Sequence, residues 1–135
     1  MLDSRDHNFS FSGLKTAVRY RLADFSAEKK TPALINDICA SFQRAVIDVL
    51  VMKTLRAAKE YGAKVVTLSG GVSCNRALRT ELADRCRAAR MSLLTASPEL
   101  CTDNAAMIAF AASLRLRDGQ RSEVAEEIDP NLALV

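Results

Sequence analysis

Two stretches of this chain carry residue types from which a site could be built. Leu68-Ser69-Gly70-Gly71-Val72-Ser73-Cys74-Asn75-Arg76 sets two glycines between an apolar run and a helix-forming run. Glycine lets a backbone come close to a ligand, and free N–H groups at a helix start attract anions. The stretch reads either as a phosphate-binding turn or as a tight strand-to-helix connection with Ser73 as N-cap. Pro98-Glu99-Leu100-Cys101-Thr102-Asp103-Asn104 occupies the equivalent place after a second apolar run. Its Asp103 offers a carboxylate to a metal or, with Thr102 as the alternative, to the N–H groups of a helix start, and capping is the commoner use. His7 is the only histidine. An HExxH zinc protease is therefore impossible within this chain, and a Ser-His-Asp triad would depend on a residue in an irregular segment. Any metal site here holds only part of its ligands.

The elements that must position these loops follow from periodicity. Residues 1–11 read as extended or irregular, and Ser12 then caps a helix to about Ala23 in which Leu14, Val18 and Leu22 repeat every four residues. Thr31-Pro32 opens a longer helix to about Tyr61, with Pro at the first helical position and Gly62 as a left-handed stop. Ile35, Ile38, Phe42, Ala45, Val46, Val49 and Met52 mark its apolar face; from Val49 to Met52 it is apolar all round and must be covered on more than one side. Lys64 to Leu68 and Met91 to Thr95 suit buried parallel strands, with a helix from about Cys74 to Ala89 between them. Strand, helix and strand within about 30 residues make a βαβ unit, whose two strand-to-helix loops face one crevice. Thr102 or Asp103 caps a last helix through about Arg117, ended by Asp118-Gly119. Two strands do not make a stable sheet, so the unit is incomplete.

At 135 residues, 49% hydrophobic and 26% charged, the chain suits one soluble domain. Five glycines and three prolines leave few turns and favour long helices. The net charge of +3 is mild, and the basic residues are scattered: Arg19 and Arg21; Lys53, Arg56 and Lys59; Arg85, Arg87 and Arg90; Arg115 and Arg117. Solvated helix faces account for them. Cys39, Cys74, Cys86 and Cys101 form no CxxC pair and read as small buried hydrophobes in a reducing compartment. With no signal-peptide pattern and no apolar run of membrane-spanning length, a cytoplasmic location is expected.

Four segments taken together carry a specific resemblance. Phe9-Ser10-Phe11-Ser12-Gly13-Leu14-Lys15-Thr16, Ala40-Ser41-Phe42-Gln43, Ser69 to Arg76, and Cys101-Thr102-Asp103-Asn104-Ala105-Ala106-Met107-Ile108-Ala109 occur in this order. The set resembles the C-terminal part of the tRNA N6-adenosine threonylcarbamoyltransferase family, also known as O-sialoglycoprotein endopeptidases or glycoproteases. The resemblance covers residues 3–119. It implies a helix-rich α/β fold, part of an actin-like (ribonuclease H-like) ATPase lobe, spanning residues 1–119 and followed by a tail at 120–135.

The activity implied is transfer of a threonylcarbamoyl group from its adenylate to the exocyclic amine of the adenosine beside the tRNA anticodon. One metal ion, iron or zinc, would be held by two histidines of an HxxxH motif and a later aspartate, which Asp103 matches. Asn75 matches an asparagine that contacts the adenylate, with Gly70 and Gly71 forming the turn beside it. The partners implied are tRNA, an inactive paralogue subunit and a small ATPase of the modification complex. The chain carries no HxxxH motif and no glycine-rich SGGH-type loop, and Met1-Leu2-Asp3 resembles an interior position of the family. The isolated chain is therefore expected to be inactive, and the apolar stretch from Val49 to Met52 together with the open edges of a two-stranded sheet predicts that it associates with itself. The alternatives are a non-catalytic scaffold subunit, which retention of Asp103 argues against, and the metalloendopeptidase of the older name, for which no residue speaks.

Overall fold

A computed structural model describes residues 4, 6–121 and 123. The chain falls into two compact units, divided between Cys101 and Thr102. The first runs α1 (Ser12–Ala23), α2 (Pro32–Glu60), β1 (Val65–Leu68), α3 (Arg76–Ala88) and β2 (Ser92–Thr95), with 3-10 turns at Ala27–Lys29, Gly71–Cys74 and Pro98–Leu100. The second holds α4 (Ala105–Arg117). The architecture is helix-rich α/β. No helix among the described residues is long and apolar enough to cross a membrane.

The ends of α2 follow its sequence closely. Thr31 Oγ1 accepts the Leu34 N–H at 3.3 Å, Pro32 is the first helical residue, and Gly62 stops the helix at φ +64°. There the Ala63 N–H reaches back to the Ala58 carbonyl and the Gly62 N–H to Lys59, the paired bonds of a left-handed helix end. The same pattern closes α4 at Gly119 and α3 at Arg90, a non-glycine residue at φ +56°. Helix α1 corrects one expectation. Ser12 is its first residue rather than its cap, because the Phe11 carbonyl already accepts the Lys15 N–H; Phe11 stands at the cap position without a side-chain bond.

The core lies in the first unit. Strands β1 and β2 pair in parallel, Val65 opposite Ser92 through Leu68 opposite Thr95. Val66, Ile47, Val51 and Ala58 of α2, and Leu78, Leu82 and Cys86 of α3 pack together. The three α3 residues recur every four positions, a stripe that meets one surface. Burial pushes the Cys86 thiol pKa up. Cys101 is also buried, whereas Cys39 and Cys74 are exposed, contrary to the expectation for all four.

Helix α2 changes partners along its length. Its first half shares a groove with α1, lined by Leu14 and Val18 of α1 and by Leu34, Ile38 and Phe42 of α2. Its second half holds all five of its buried residues, Ile47, Val49, Val51, Lys53 and Ala58. Burial at alternate positions from 47 to 53 means cover on two sides, as the apolar composition there demands. The expected single face is corrected at both ends: Ile35 and Met52 are exposed, because the buried side swings from the α1 groove to the strands and α3.

The second cover is Ser4 with residues 6–8, held by a residue expected to be solvated. The Lys53 side chain is 2% exposed, and its ammonium donates to Ser4 Oγ at 2.7 Å, Asp6 Oδ1 at 3.0 Å and the Asn8 carbonyl at 2.6 Å. Three N–H donors thus meet three oxygens, which permits a buried lysine. The Lys53 hydrogen bond, followed by the Asn8 N–H, holds the Asp6 carboxyl below its ordinary 3.8. His7 Nε2 lies 3.1 Å from Glu60, and its ring meets the edge of Tyr61.

Candidate functional site

The loop that follows β1 is built by its glycines and closed by an asparagine. Gly70 sits at φ +86°, ψ 168°, a conformation essentially reserved for glycine. This swings the chain into the turn Gly71–Cys74, where the Ser73 N–H donates to the Gly70 carbonyl at 2.9 Å. Asn75 then caps α3: its Oδ1 accepts the Leu78 N–H at 3.0 Å. The expected cap, Ser73, is instead buried with its hydroxyl turned toward Cys101. A hydroxyl two residues before the cap cannot reach the orphan N–H groups of the helix start.

Asn75 has a second contact. Its Nδ2 donates to Gln43 Oε1 of α2 at 2.9 Å. The pair borders an apolar hollow lined by Phe42, Val46, Leu50 and Val72. Two amides on an apolar wall suit a flat heteroaromatic group, since each offers both donor and acceptor while the wall excludes water. Sequence alone does not mark Gln43 as a site residue. The available signal was its place in Ala40-Ser41-Phe42-Gln43, which does not show that it meets a residue 32 positions away.

The loop that follows β2 continues the strand pairing for one bond, Ala96 N–H to the Leu68 carbonyl at 3.1 Å. It then turns through Pro98–Leu100 to Cys101, which is 4% exposed. Ser73 Oγ donates to Cys101 Sγ at 3.0 Å, and Cys101 Sγ donates to the Ser97 carbonyl at 3.2 Å. The two strand-to-helix loops are thus neighbours at the carboxyl ends of parallel strands, where α/β folds collect ligands.

Asp103 belongs to the second unit. Neither it nor Thr102 caps α4. Asn104 does, its Oδ1 accepting the Met107 N–H at 3.1 Å while its Nδ2 donates to the Thr102 carbonyl at 2.9 Å. The Asp103 side chain is exposed and makes no hydrogen bond or ion pair among the described residues. Freed from capping, it is a carboxylate available to a cation. Among the described residues no three His, Cys, Asp or Glu side chains cluster as metal ligands would. Of the expected site residues, Gly70, Gly71 and Asn75 therefore share one loop, and Asp103 stands in a different unit.

Comparison with known proteins adds independent information. The family described as tRNA N6-adenosine threonylcarbamoyltransferase matches residues 2–110. A protein of that name from Staphylococcus aureus (strain Newman) is 40% identical over 133 residues, covering 98% of this chain and 39% of its own length. Another of that name, from Corynebacterium aurimucosum, is 48% identical over 113 residues, covering 84% of this chain and 32% of its own length. The chain thus spans less than two fifths of the length of the curated relatives it matches.

Proposed function

Because this chain belongs to the tRNA N6-adenosine threonylcarbamoyltransferase family, we propose that it forms part of a transferase carrying a threonylcarbamoyl group from its adenylate to the exocyclic amine of the adenosine beside the tRNA anticodon. Residues 1–119 would contribute to the second lobe of an actin-like fold. The enzyme would act in the cytoplasm with an inactive paralogue subunit and a small ATPase. The observation that carries this reading is the Asn75–Gln43 pair, set beside an apolar hollow on a glycine turn. Adenosine is a flat heteroaromatic with donor and acceptor edges, which two adjacent amides can match. A Cβ built on Gly71 meets nothing within 4 Å, which leaves room for a group to lie against that backbone.

Asp103 would be one ligand of the metal ion, iron or zinc, with the remaining ligands coming from outside this chain. A carboxylate oxygen suits a site completed by imidazoles, and the ion would supply a positive charge that orients the donor. This chain's own contribution is the carboxylate that Asn104 leaves uncommitted by capping α4 itself. The isolated chain would be inactive, lacking the other ligands.

The test separates the two roles in the complete transferase containing this segment. Asp103→Ala is expected to lose bound metal and activity with its helix intact, and Asn75→Ala to raise the apparent KM for the adenylate with metal content unchanged. Full metal content in Asp103→Ala, or an unchanged KM in Asn75→Ala, would overturn the corresponding assignment.

A further inference from the structure

Between them, the two loops end their strand pairing at the Ala96 N–H, yet both continue side by side as far as Cys101. One side chain holds them there. Arg79, one turn into α3, donates through Nε to the Ser73 carbonyl and through Nη2 to the Ala96 carbonyl at 2.9 Å, with Cys101 Sγ 3.5 Å from the same nitrogen. Its backbone N–H donates to the Asn75 carbonyl at 3.1 Å, closing the first turn of the helix that Asn75 caps. Beneath the guanidinium, the buried Ser73 hydroxyl and Cys101 thiol link the same two loops. Arg79 thus touches the backbone on both sides of the gap and the residue whose amide meets Gln43.

We infer that Arg79 is a positioning residue for the adenylate, fixing Asn75 by clamping the loop after β1 to the loop after β2. This rests on the adenylate reading of Asn75 given above. The chemistry selects arginine. Two carbonyls on different loops require two donors in a fixed fork, which the planar guanidinium supplies and a lysine ammonium on a flexible stem does not. Nε and Nη2 are both committed to these carbonyls, so Arg79 acts on the site through the loops it joins. Its influence passes through the backbone from Ser73 to Asn75, a path of two residues. Arg85 and Arg87, further along α3, instead pair with Glu81 and Asp84 on the helix surface, so no comparable loop contact arises there.

Arg79→Lys in the complete transferase keeps the charge and the helix while losing the fork. It is expected to raise the apparent KM for the adenylate on the order of tenfold or more, since small misplacements of a binding group are that costly, with bound metal and the KM for tRNA unchanged. Combined with Asn75→Ala, it should add little further, because both changes disable the same contact. A multiplicative loss in the double variant, or an unchanged adenylate KM in Arg79→Lys while Asn75→Ala alone raises it, overturns the inference and leaves the adenylate reading standing. An unchanged KM in Asn75→Ala overturns the reading itself. Arg79→Ala folds less securely, and Arg79→Lys keeps the test independent of that.

Discussion

Helices α3 and α4 are each 13 residues long and reverse the usual relation between composition and burial. Helix α3 is studded with Arg76, Arg79, Glu81, Asp84, Arg85 and Arg87, yet buries Leu78, Leu82 and Cys86. Helix α4 is apolar from Ala105 to Ala112 and buries nothing. Three apolar side chains at a four-residue spacing are enough for α3 because a surface exists to receive them: Val66 of β1 with Ile47, Val51 and Ala58 of α2. Helix α4, for all its apolar content, contributes no residue to that core. Its Met107, Ile108, Phe110 and Leu116 stay exposed, so among the described residues α4 carries a larger exposed apolar group than the second half of α2, where Met52 is exposed but Ile47, Val49 and Val51 are buried.

The largest expected effect tests whether α3 is the true partner of the core. Leu82→Ala should lower stability by about 2–5 kcal/mol, as buried leucine truncations do, measured by chemical denaturation. A loss smaller than that of an exposed residue would break the contrast. A matched pair of caps sharpens it. Asn75→Ala should cost about 1 kcal/mol of global stability. Asn104→Ala should leave the denaturation midpoint in place and lower only the helical circular dichroism signal, because a 13-residue helix with no buried residue is marginal in water. The smallest effect is expected from Phe110→Ser, within about 0.5 kcal/mol for a side chain as exposed as this one, at 66%. The same change should reduce self-association of the isolated chain in sedimentation. A marked loss of stability instead would show that α4 is packed after all.

The parts legible in the sequence were those set by local rules. Thr31-Pro32 and Gly62 framed α2 to within a residue or two, and both strands were placed to within one, because caps, glycine stops and short β-branched runs act over a few residues. What local rules could not supply were contacts between distant segments. Lys53 looks like any surface lysine until Ser4, Asp6 and Asn8 fold over it. Gln43 gains meaning only beside Asn75, and Arg79 only where two loops run together. Asp103 shows the opposite difficulty. Its neighbour Asn104 is an equally good cap, and no spacing rule decides which of two adjacent polar residues takes the position.

Gly70 and Gly71 look interchangeable in the sequence but differ in what heredity can do with them. At φ +86° and ψ 168°, Gly70 occupies backbone territory closed to residues of natural handedness. Every single-nucleotide change that alters the amino acid at a glycine codon leads to a residue with a side chain or to a stop, so Gly70 has no permissible neighbour in the genetic code. Gly71 lies outside the left-handed region, and an added methyl group there meets open space. Among the described residues nothing forbids alanine at Gly71, so a population of related genes that keeps glycine there would be answering to something beyond them.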